Sequence, residues 1–394
     1  MEYIKLSDKS IYISDGNYSA KYPRAEEMVD AGIPFITPAN FEGDKISLKG
    51  MNYITEEKHS VLQKGHIKEN DVLITVRGNN GRVMMVTSDF ENANINAQLA
   101  FIRTDCSKIS PKYIYYYFNS NIAKLYISKN ETGIALKQFP IKKLKEVTIP
   151  LVSKEKQQEV VSILDKINAI IDADKKQLEL LDETVKSRFV EMFGDPVLNS
   201  KKYDTMELNS LGYFNRGRSK HRPRNDSILL GGPYPLIQTG EIANADTYIY
   251  TYEQTYSEEG LKQSKMWPKG TLCITIAANI AKTAILNIDA CFPDSIIGLI
   301  PNENVTAIFL HNWFKFFQPI LEEQAPAAAQ KNLNCTTLGK VQVIIPPINE
   351  QNKFDNFVEL IDKLKFNVQQ HLNLMQELLY KKMQEFFGGV EYGI

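Results

Sequence analysis

The stretch Ile163-Leu164-Asp165-Lys166-Ile167 recurs in similar form as Leu360-Ile361-Asp362-Lys363-Leu364, and each copy lies within a long helical pattern. Each pattern begins just after a proline-containing segment, Ile149-Pro150-Leu151 in the first half of the chain and Ile345-Pro346-Pro347 in the second. Because proline interrupts regular structure, it separates each helix from what precedes it. The shared order predicts an internal repeat with a period of about 195 residues.

The ends of the two helical patterns are also alike. Gly194, followed by Pro196, ends the first, and Gly388-Gly389 ends the second. Glycine is favoured just past the last turn of a helix. Each helix would then have about 38 residues, which corresponds to roughly 57 Å.

The segments between the helices repeat more weakly. Gly32-Ile33-Pro34-Phe35-Ile36 matches Gly232-Pro233-Tyr234-Pro235-Leu236-Ile237, and Asp71-Val72-Leu73-Ile74-Thr75 matches Gly270-Thr271-Leu272-Cys273-Ile274-Thr275. Chance likeness of two amphipathic helices is the alternative. It does not account for four matches in one order.

The repeat predicts an α/β (α+β) chain in which two globular parts alternate with two long helices. Short apolar runs separated by Gly, Asn and Pro predict strands in the globular parts. The clearest runs are Val72–Val76, Val83–Thr87, Leu272–Ile276 and Ala284–Ile288. The predicted boundaries are 1–149 and 196–345 for the globular parts, and 150–195 and 346–394 for the helices.

Both helices carry apolar residues in alternating steps of four and three. This heptad pattern is typical of a coiled-coil seam, which needs a partner helix. We expect the two helices to pair antiparallel about a pseudo-two-fold axis. The predicted seam positions are Val160, Leu164, Ile167, Ile171, Asp174, Leu178, Leu181, Val185, Arg188 and Met192, with Phe354, Phe357, Ile361, Leu364, Val368, His371, Met375 and Leu378.

Asp174 and His371 are polar residues near the middle of the two seams. The predicted axis would bring them together as a buried polar pair that fixes register at a cost in stability. The alternative is that both lie at a solvated edge of the seam.

Composition excludes several classes of protein. The chain of 394 residues has a net charge of −1, and no apolar run approaches the roughly 18–20 residues of a membrane span. It starts without the apolar core of a signal peptide, so we expect a cytoplasmic protein. The cysteines, Cys106, Cys273, Cys291 and Cys335, are widely spaced and are interpreted as buried thiols. The five histidines form no metal-binding motif.

Charge is distributed unevenly along the chain. The globular parts carry 34 Lys and Arg against 30 Asp and Glu, whereas the helical parts carry 12 against 17. The densest basic run is 214–225, which holds five Lys or Arg and no acid. Its Gly and Pro exclude a regular helix or central strand, which indicates an exposed loop suited to DNA phosphates and guanine edges. A solvated basic loop without a ligand is the alternative. The candidate residues are Arg216, Arg218, Lys220, His221, Arg222 and Arg224.

The first half offers a different candidate, the run Arg77-Gly78-Asn79-Asn80-Gly81-Arg82 between two predicted strands. Asn side chains can read adenine edges, although Asn-Gly is also the usual composition of a hairpin turn. Further polar candidates lie upstream of this turn and before the last strand of each globular part. The first-half candidates for DNA contact are Lys21, Arg24, Arg77, Asn79, Asn80, Arg82, Lys137 and Gln138, and those before the last strand of the second half are Lys331 and Asn332.

Catalytic motifs are missing from the sequence. A DNA methyltransferase would need an Asn/Asp-Pro-Pro-aromatic tetrapeptide, but Pro346-Pro347 is flanked by Ile345 and Ile348. We find no Walker A sequence, dinucleotide fingerprint, GxSxG motif or nuclease arrangement of acids with a lysine. The sequence therefore favours a chain without covalent chemistry of its own.

Taken together, these features resemble the specificity subunits of type I restriction-modification systems. The resemblance covers essentially the whole chain, and its most specific runs are 149–171, 214–226, 234–242 and 264–286. It implies that the globular parts are target recognition domains, each reading half of a bipartite asymmetric DNA site. It also implies that the helices set the spacer and dock two methylation subunits, and it allows two restriction subunits. S-adenosylmethionine, ATP and Mg²⁺ would then be bound by the partners, and none by this chain.

One feature departs from the family pattern. The usual Glu-Gln after the first proline is present as Glu350-Gln351, but the first half has Lys156-Gln157-Gln158. This predicts that the two helix starts dock a partner unequally. A non-enzymatic scaffold that binds protein through repeated domains is the second hypothesis, and a nuclease or self-contained methyltransferase is a weaker third.

Overall fold

The structure is a computed structural model of the chain. It describes residues 2–18, 21–134, 136–277, 280–324 and 334–388. Two compact units divide the chain. The first unit contains Met1–Asp174 and His371–Ile394, and the second contains Lys175–Gln370. Each unit thus joins one globular part to half of each long helix, whereas the sequence-based partition treated each helix as a separate segment.

The first globular part combines short strands with four helices and leads into the first long helix. Its strands are β1 (Glu2–Lys5), β2 (Ile11–Asp15), β3 (Ile33–Ile36), β4 (Phe41–Glu42), β5 (Lys45–Ile46), β6 (Asn52–Ile54), β7 (Val72–Thr75), β8 (Val83–Met85), β9 (Asn94–Ile95), β10 (Leu99–Thr104) and β11 (Thr148–Leu151). Its helices are α1 (Glu56–Val61), α2 (Pro111–Asn119), α3 (Asn121–Asn130) and α4 (Ile141–Glu146), followed by the first long helix α5 (Lys154–Phe193).

The second globular part has a corresponding set of elements. Its strands are β12 (Thr205–Glu207), β13 (Gly212–Arg216), β14 (Leu230–Leu236), β15 (Tyr248–Ile249), β16 (Gln254–Tyr256), β17 (Met266–Trp267), β18 (Leu272–Thr275), β19 (Thr283–Leu286), β20 (Ala290–Cys291), β21 (Ile296–Pro301) and β22 (Gln342–Ile344). Its helices are α6 (Thr239–Asn244), α7 (Glu258–Gln263), α8 (Ala307–Gln324) and α9 (Cys335–Gly339), followed by the second long helix α10 (Ile348–Phe387).

The sheet topology repeats between the two globular parts. In the first, the main sheet has the order β2-β10-β7-β8, and in the second the order is β13-β21-β18-β19-β15. A smaller sheet joins β6-β3-β9 in the first and β16-β14-β20-β17 in the second, and β3·β9 and β14·β20 are both parallel pairs. The predicted internal repeat is therefore confirmed at the level of strand order.

The four clearest predicted strands are present as β7, β8, β18 and β19, with ends shifted by one or two residues. β7 and β18 are buried along their whole length. Such central strands read as continuous apolar runs because both faces are covered. Apolar runs bounded by polar turns thus gave the correct element type here.

The long helices begin and end close to the predicted residues. Both contain 40 residues, and Gly194 follows the first with a φ of +75°, which suits glycine. In the first unit, Val160 and Leu164 near the start of α5 share a core with Met383 and Phe387 at the end of α10. The helices therefore run antiparallel in this unit.

The second unit contains the complementary ends of the same helices. Phe189 and Phe193, at the end of α5, pack against Phe354 near the start of α10, with ring centroids 5.4 and 5.5 Å apart. Val358 belongs to the same core. The antiparallel pairing is thus present in both units.

Burial along the helices follows the predicted seam except in three places. The predicted positions Leu164, Ile167, Ile171, Asp174, Val185, Phe354 and Ile361 are buried, and Leu178, Val368 and Met375 are half-buried. Leu364 was predicted in the seam, but its side chain is 44% exposed and Lys365 occupies the inner position instead. Similarly, Leu372 is buried beside the exposed His371, and Phe189 is buried beside Arg188. An α-helix drifts against a strict seven-residue repeat, so inner positions shift by one residue.

Asp174 and His371 meet in the first unit. His371 Nδ1 lies 2.8 Å from Asp174 Oδ2. The carboxylate is buried, with 10% of its side chain exposed, whereas half of the His371 side chain is exposed. The pair therefore combines the two alternatives, because one partner is buried in the seam and the other lies at its solvated edge.

Buried glutamines attach the start of each long helix to its globular part. Gln157 accepts a hydrogen bond from the backbone N–H of Ser110 at 2.8 Å, and Gln351 accepts one from Thr306 at 3.0 Å. Each amide also donates to two backbone carbonyls. Both glutamines are at most 1% exposed, so they cannot contact a docked partner directly. The predicted unequal docking would then depend on their neighbours, such as Lys156 and Glu350, and it stays a prediction.

The interpretation of all cysteines as buried thiols is wrong for Cys106. Cys273 and Cys291 are buried in the second unit, but Cys106 is exposed and Cys335 is half-buried. Cys106 has a φ of +59° in the turn after β10, and this turn carries it away from the core. Among the described helices, none combines the length and apolarity needed to cross a membrane.

Candidate nucleic-acid interface

Strand register places the basic run of the second unit at one edge of its main sheet. Arg216, the last residue of β13, pairs with Ile297, which in turn pairs with Ile274 near the end of β18. The loop after β13 and the hairpin turn after β18 therefore leave the sheet at the same edge. Phe214–Arg216 belong to the outermost strand of that sheet, so the predicted loop starts at Gly217.

The start of the basic loop is held against the sheet by backbone hydrogen bonds. Gly217 N–H donates to the Ile296 carbonyl at 2.8 Å, and Arg218 N–H donates to the Phe292 carbonyl at 3.1 Å. A Cβ on Gly217 would lie 2.3 Å from the Phe292 oxygen, so glycine is required by close backbone approach. The side chain of Arg218 leaves from this fixed point.

A glutamine fixes the next part of the loop. Gln263 Oε1 accepts hydrogen bonds from the backbone N–H groups of Lys220 at 2.6 Å and His221 at 3.1 Å. Ser219 between the two anchored segments is buried. The loop is thus ordered by the protein itself, and its cations are presented at defined positions.

The five basic side chains of the run 214–225 fall into two groups. Arg216, Arg218 and Lys220 are exposed and have no ion pair with any residue in the described part of the chain. Arg224 instead forms an ion pair with Asp294 at 2.5 Å, and Arg222 lies 3.8 Å from the same carboxylate. The first group keeps its charge available for phosphates, whereas the second is partly neutralised.

His221 was also predicted to contact DNA. Its Nε2 atom lies 3.1 Å from Asp226 Oδ2. Asp226 also caps the following short helical turn by accepting from the Ile228 N–H, and these contacts hold its pKa below the usual value. In this structure His221 therefore helps to close the loop.

The structure adds residues to this surface that the sequence did not single out. Lys265 Nζ lies 3.9 Å from the ring centroid of Tyr213 and 4.1 Å from that of Trp267. Tyr213 is 48% exposed, and the hydrogen bond from Lys265 lowers the pKa of its hydroxyl. Asn215 also donates to the Tyr213 hydroxyl at 3.3 Å. The signal that the sequence offered for this group was an aromatic residue, Tyr213, directly before the basic run.

The first unit has its own version of this edge. Ala100 pairs with Asp15 at the end of β2, and Leu99 pairs with Thr75 at the end of β7. Gly16 follows β2 in the same way as Gly217 follows β13. A Cβ on Gly16 would lie 2.1 Å from the backbone oxygen of Asn96. The topological counterpart of the basic loop is therefore the segment that contains Lys21 and Arg24, both exposed, and not the Arg77–Arg82 turn.

Arg77 lies in a cationic and aromatic cluster at this edge. Its guanidinium carbon is 5.4 Å from the ring centroid of Tyr18, and Lys64 Nζ is 5.0 Å from the same centroid. Tyr18 is 57% exposed. Lys64 also pairs with Asp15 at 3.0 Å, and that hydrogen bond raises the lysine pKa. Tyr18 and Lys64 were missed because they are far apart in sequence.

Arg82 was predicted to contact DNA, but the structure shows its guanidinium engaged within the first unit. Its guanidinium donates hydrogen bonds to the backbone carbonyls of Pro38 at 3.2 Å and Phe41 at 2.5 Å, and it covers the Phe41 ring. Asn79, at the tip of the same hairpin, is exposed. The turn therefore uses Arg82 to hold a neighbouring loop and leaves Asn79 outward.

The remaining first-unit candidates lie beside this turn. Lys137 and Asn80 both contact Glu131, at 3.0 and 2.9 Å. Gln138 forms a β-bridge with Arg77, which joins the two predicted segments. Lys331 and Asn332 lie outside the described residues, so their predicted role stays a prediction.

The chain matches the family described as type I restriction modification DNA specificity domain twice, at residues 13–183 and 200–374. It belongs to this family. The two matched segments correspond to the two halves of the internal repeat.

Several curated relatives are named specificity subunits of type I restriction enzymes. A putative type I restriction enzyme specificity subunit, MjaX, from Methanocaldococcus jannaschii is 23% identical over 357 residues, covering 84% of this chain and 81% of the relative. The EcoBI specificity subunit of Escherichia coli is 26% identical over 147 residues, covering 37% of this chain and 31% of that protein.

Solved structures support the fold. A type I restriction-modification S subunit from M. genitalium aligns with a TM-score of 0.57 at 14% identity, covering 99% of this chain and 96% of that one. A chain from a structure that concerns complex assembly and conformational transition of a type I system aligns with the same score at 15% identity, covering 99% and 98%. The specificity-subunit fold thus extends over nearly the whole chain.

Proposed function

We propose that this chain is the non-catalytic, sequence-specific DNA-binding subunit of a type I restriction-modification complex. Each globular part would read one half of a bipartite asymmetric site, through phosphate contacts that position the DNA and base contacts that specify sequence. The observation that carries the proposal is the shared sheet edge. In both units it presents cations beside exposed aromatics, with exposed Lys64, half-buried Arg77 and exposed Tyr18 in the first and exposed Arg218 and Tyr213 in the second.

The proposal assigns the chemistry to partners. Two methylation subunits would bind S-adenosylmethionine and transfer the methyl group to a flipped base, while restriction subunits with ATP and Mg²⁺ would translocate and cleave DNA. Family membership supports this division, since the curated relatives are named specificity subunits. The complex would act on DNA in the cytoplasm.

The outer faces of the long helices support a docking role. They carry apolar side chains that the helix pair leaves exposed, and such patches mark protein interaction surfaces. In the first unit these include Ile170, Leu374 and Tyr380, which are 39%, 57% and 51% exposed. In the second they include Leu360 and Phe366, which are 57% and 62% exposed.

A genome-wide map of methylated bases, made with the gene present and deleted, tests the proposed function. We expect one bipartite motif with a fixed unspecified spacer to disappear on deletion. An unchanged map in cells with active methylation partners would contradict the proposal and favour a protein-binding scaffold. Replacing Arg216, Arg218, Arg222 and Arg224 with alanine separates the same hypotheses, because only the DNA reader should lose salt-sensitive DNA binding while assembly stays intact.

Helix length tests the proposed ruler. Removing one heptad from α5 and one from α10 shortens each helix by about 10 Å, which is roughly a third of the 34 Å helical turn of DNA. We expect the spacer length to change while both half-sites stay the same. Altered half-sites at constant spacing would contradict the ruler.

A further inference from the structure

A cavity of about 450 Å³ lies in the second unit between the second half of α5, the end of α6 and the middle of α8. Its size falls in the range of small-molecule sites, roughly 300–1,000 Å³. Apolar wall residues include Ile242, Ala281 and Phe314. Charged and polar groups also converge on it, so it is more than a packing defect between apolar side chains.

The charges around the cavity are unbalanced. Asp182 and Asp246 line it, and both are ion-paired with the mostly buried Lys365. Three further lysines line it, Lys186, Lys282 and Lys315. None of these three has an ion pair with another residue in the part of the chain that the structure describes. The lining itself holds three lysines against two aspartates, an excess of one positive charge, and outside the lining Lys365 is accompanied by a third acid, Asp362.

Two cavity-lining groups, the buried His311 and the half-buried Lys315, have little access to water. His311 is 1% exposed, and its Nδ1 atom lies 3.0 Å from the Thr283 hydroxyl. Its Nε2 atom is buried and has no hydrogen bond of ordinary geometry among the described residues, although the backbone of Asp246 lies near enough to the ring to raise its pKa. Burial lowers the pKa of the Lys315 ammonium, and burial with the nearby lysines lowers that of His311. A desolvated ammonium and a buried imidazole with weak hydrogen bonding both gain from an anionic ligand.

The first unit does not repeat these groups. The buried aromatic pairs Tyr113 with Tyr117 on α2 and Phe309 with Trp313 on α8 occupy matching positions. On that alignment Asn119 replaces Lys315. Its amide donates to the Tyr115 carbonyl within its own helix at 3.0 Å. The lysine cluster is thus not required by the shared fold.

We propose that this cavity binds a phosphate group, with Lys315, Lys186 and Lys282 as its cationic ligands and His311 as a hydrogen-bonding partner. Lysine is a common phosphate ligand, and a phosphate would neutralise the excess charge. The phosphate could come from a small free anion or from the DNA backbone, since Lys282 ends the hairpin turn at the candidate DNA edge.

The test measures binding of inorganic pyrophosphate to the full chain without DNA, by calorimetry at constant ionic strength. We expect saturable binding that is weakened at least tenfold by Lys315→Met and within twofold of wild type in Lys363→Met, an exposed lysine on the same unit. Lys315→Met removes a desolvated charge, so it should fold. No saturable binding, or equal binding by Lys315→Met, overturns the proposal.

A second measurement identifies the source of the phosphate. If DNA supplies it, Lys315→Met should also reduce the slope of log K against log salt for DNA binding by about 0.9. If a free anion supplies it, the slope should equal that of wild type. Because the pyrophosphate titration contains no DNA, failure of the proposed DNA-reading function would leave its result interpretable.

Discussion

Arg216 and Arg218 provide the sharpest test of the candidate DNA edge. Both are exposed, both leave a backbone that is fixed to the sheet, and neither has an ion pair within the described ranges. If each contacts one phosphate, the double variant Arg216→Ala/Arg218→Ala loses two contacts. Each contact contributes about 0.9 to the slope of log K against log salt, so the slope should fall by about 1.8.

This slope sets the size of the effect. Between 50 and 200 mM salt, wild-type affinity should fall roughly 12-fold more than that of the double variant, because four raised to the power 1.8 is about 12. Both affinities are measured by fluorescence anisotropy, with the full chain assembled with its methylation subunits. The DNA probe is a duplex that carries the motif identified by the methylation map. If either arginine also reads a base, discrimination between matched and mismatched duplexes should fall by about 1–3 kcal/mol.

A charge-matched control distinguishes local contact from net charge. Lys269→Ala/Lys353→Ala removes the same formal charge in the same unit. Lys269 precedes β18, at the opposite edge of the sheet from Arg216, and Lys353 is exposed near the start of α10. For the control variant, the slope of log K against log salt should differ from that of wild type by less than about 0.5, since surface charges away from the contact are screened. Equal slopes for the two double variants would refute the assignment of this edge to DNA.

Three further predictions concern stability, measured by urea unfolding. Arg82→Met should destabilise the first unit by about 2 kcal/mol, because two backbone carbonyls lose their hydrogen-bond donor. A variant of unchanged stability with selectively weaker DNA binding would contradict the structural role of Arg82. Gln351→Leu should lower the free energy of unfolding by about 3 kcal/mol, because three backbone groups are left unpaired. Lys353→Ala should lower it by less than about 0.5 kcal/mol, and equal losses in the two variants would contradict the attachment role of Gln351. Asp355→Asn should stabilise the protein at pH 8, on the order of 2 kcal/mol, but not at pH 4.

The sign of the Asp355 effect follows from its environment. Burial raises the pKa of this carboxyl from 3.8 to about 7. The folded state therefore binds the proton more tightly than the unfolded state, and stability falls as pH rises from about 4 to about 7. Asn keeps an oxygen that can accept the Thr306 hydroxyl bond, observed at 3.0 Å, without the charge. A pH dependence unchanged by Asp355→Asn would show that other groups dominate.

Local patterns predicted the repeat, the helices and the central strands because the responsible signals are short-range. Proline before the helix, glycine after it and heptad spacing lie within one element, and β7 and β18 are continuous apolar runs. The inner residues of α10 were less predictable. Leu364 fits an apolar seam better than Lys365 does, but Lys365 is buried because Asp182 and Asp246 are placed beside it by tertiary structure.

The candidate site was predicted as a region, but not residue by residue. A basic run indicates that cations are present, yet their availability depends on partners remote in sequence. Asp294 lies 70 residues from Arg224 and partly neutralises it, and Pro38 lies 44 residues from Arg82 and draws it inward. Tyr18 and Lys64 form one cluster across a similar separation. Only the fold shows which charges face outward.

The two halves preserve the residues that build the sheet edge and vary those that extend from it. Gly16 and Gly217 let the chain pass a neighbouring backbone at the same point, and Gln157 and Gln351 attach each helix in the same way. Beyond Gly217 the first exposed side chains are the basic Arg218 and Lys220, whereas beyond Gly16 the first exposed side chain is the aromatic Tyr18. Because phosphates are the same everywhere and base edges differ, such variation on a constant frame is what two half-sites of different sequence require.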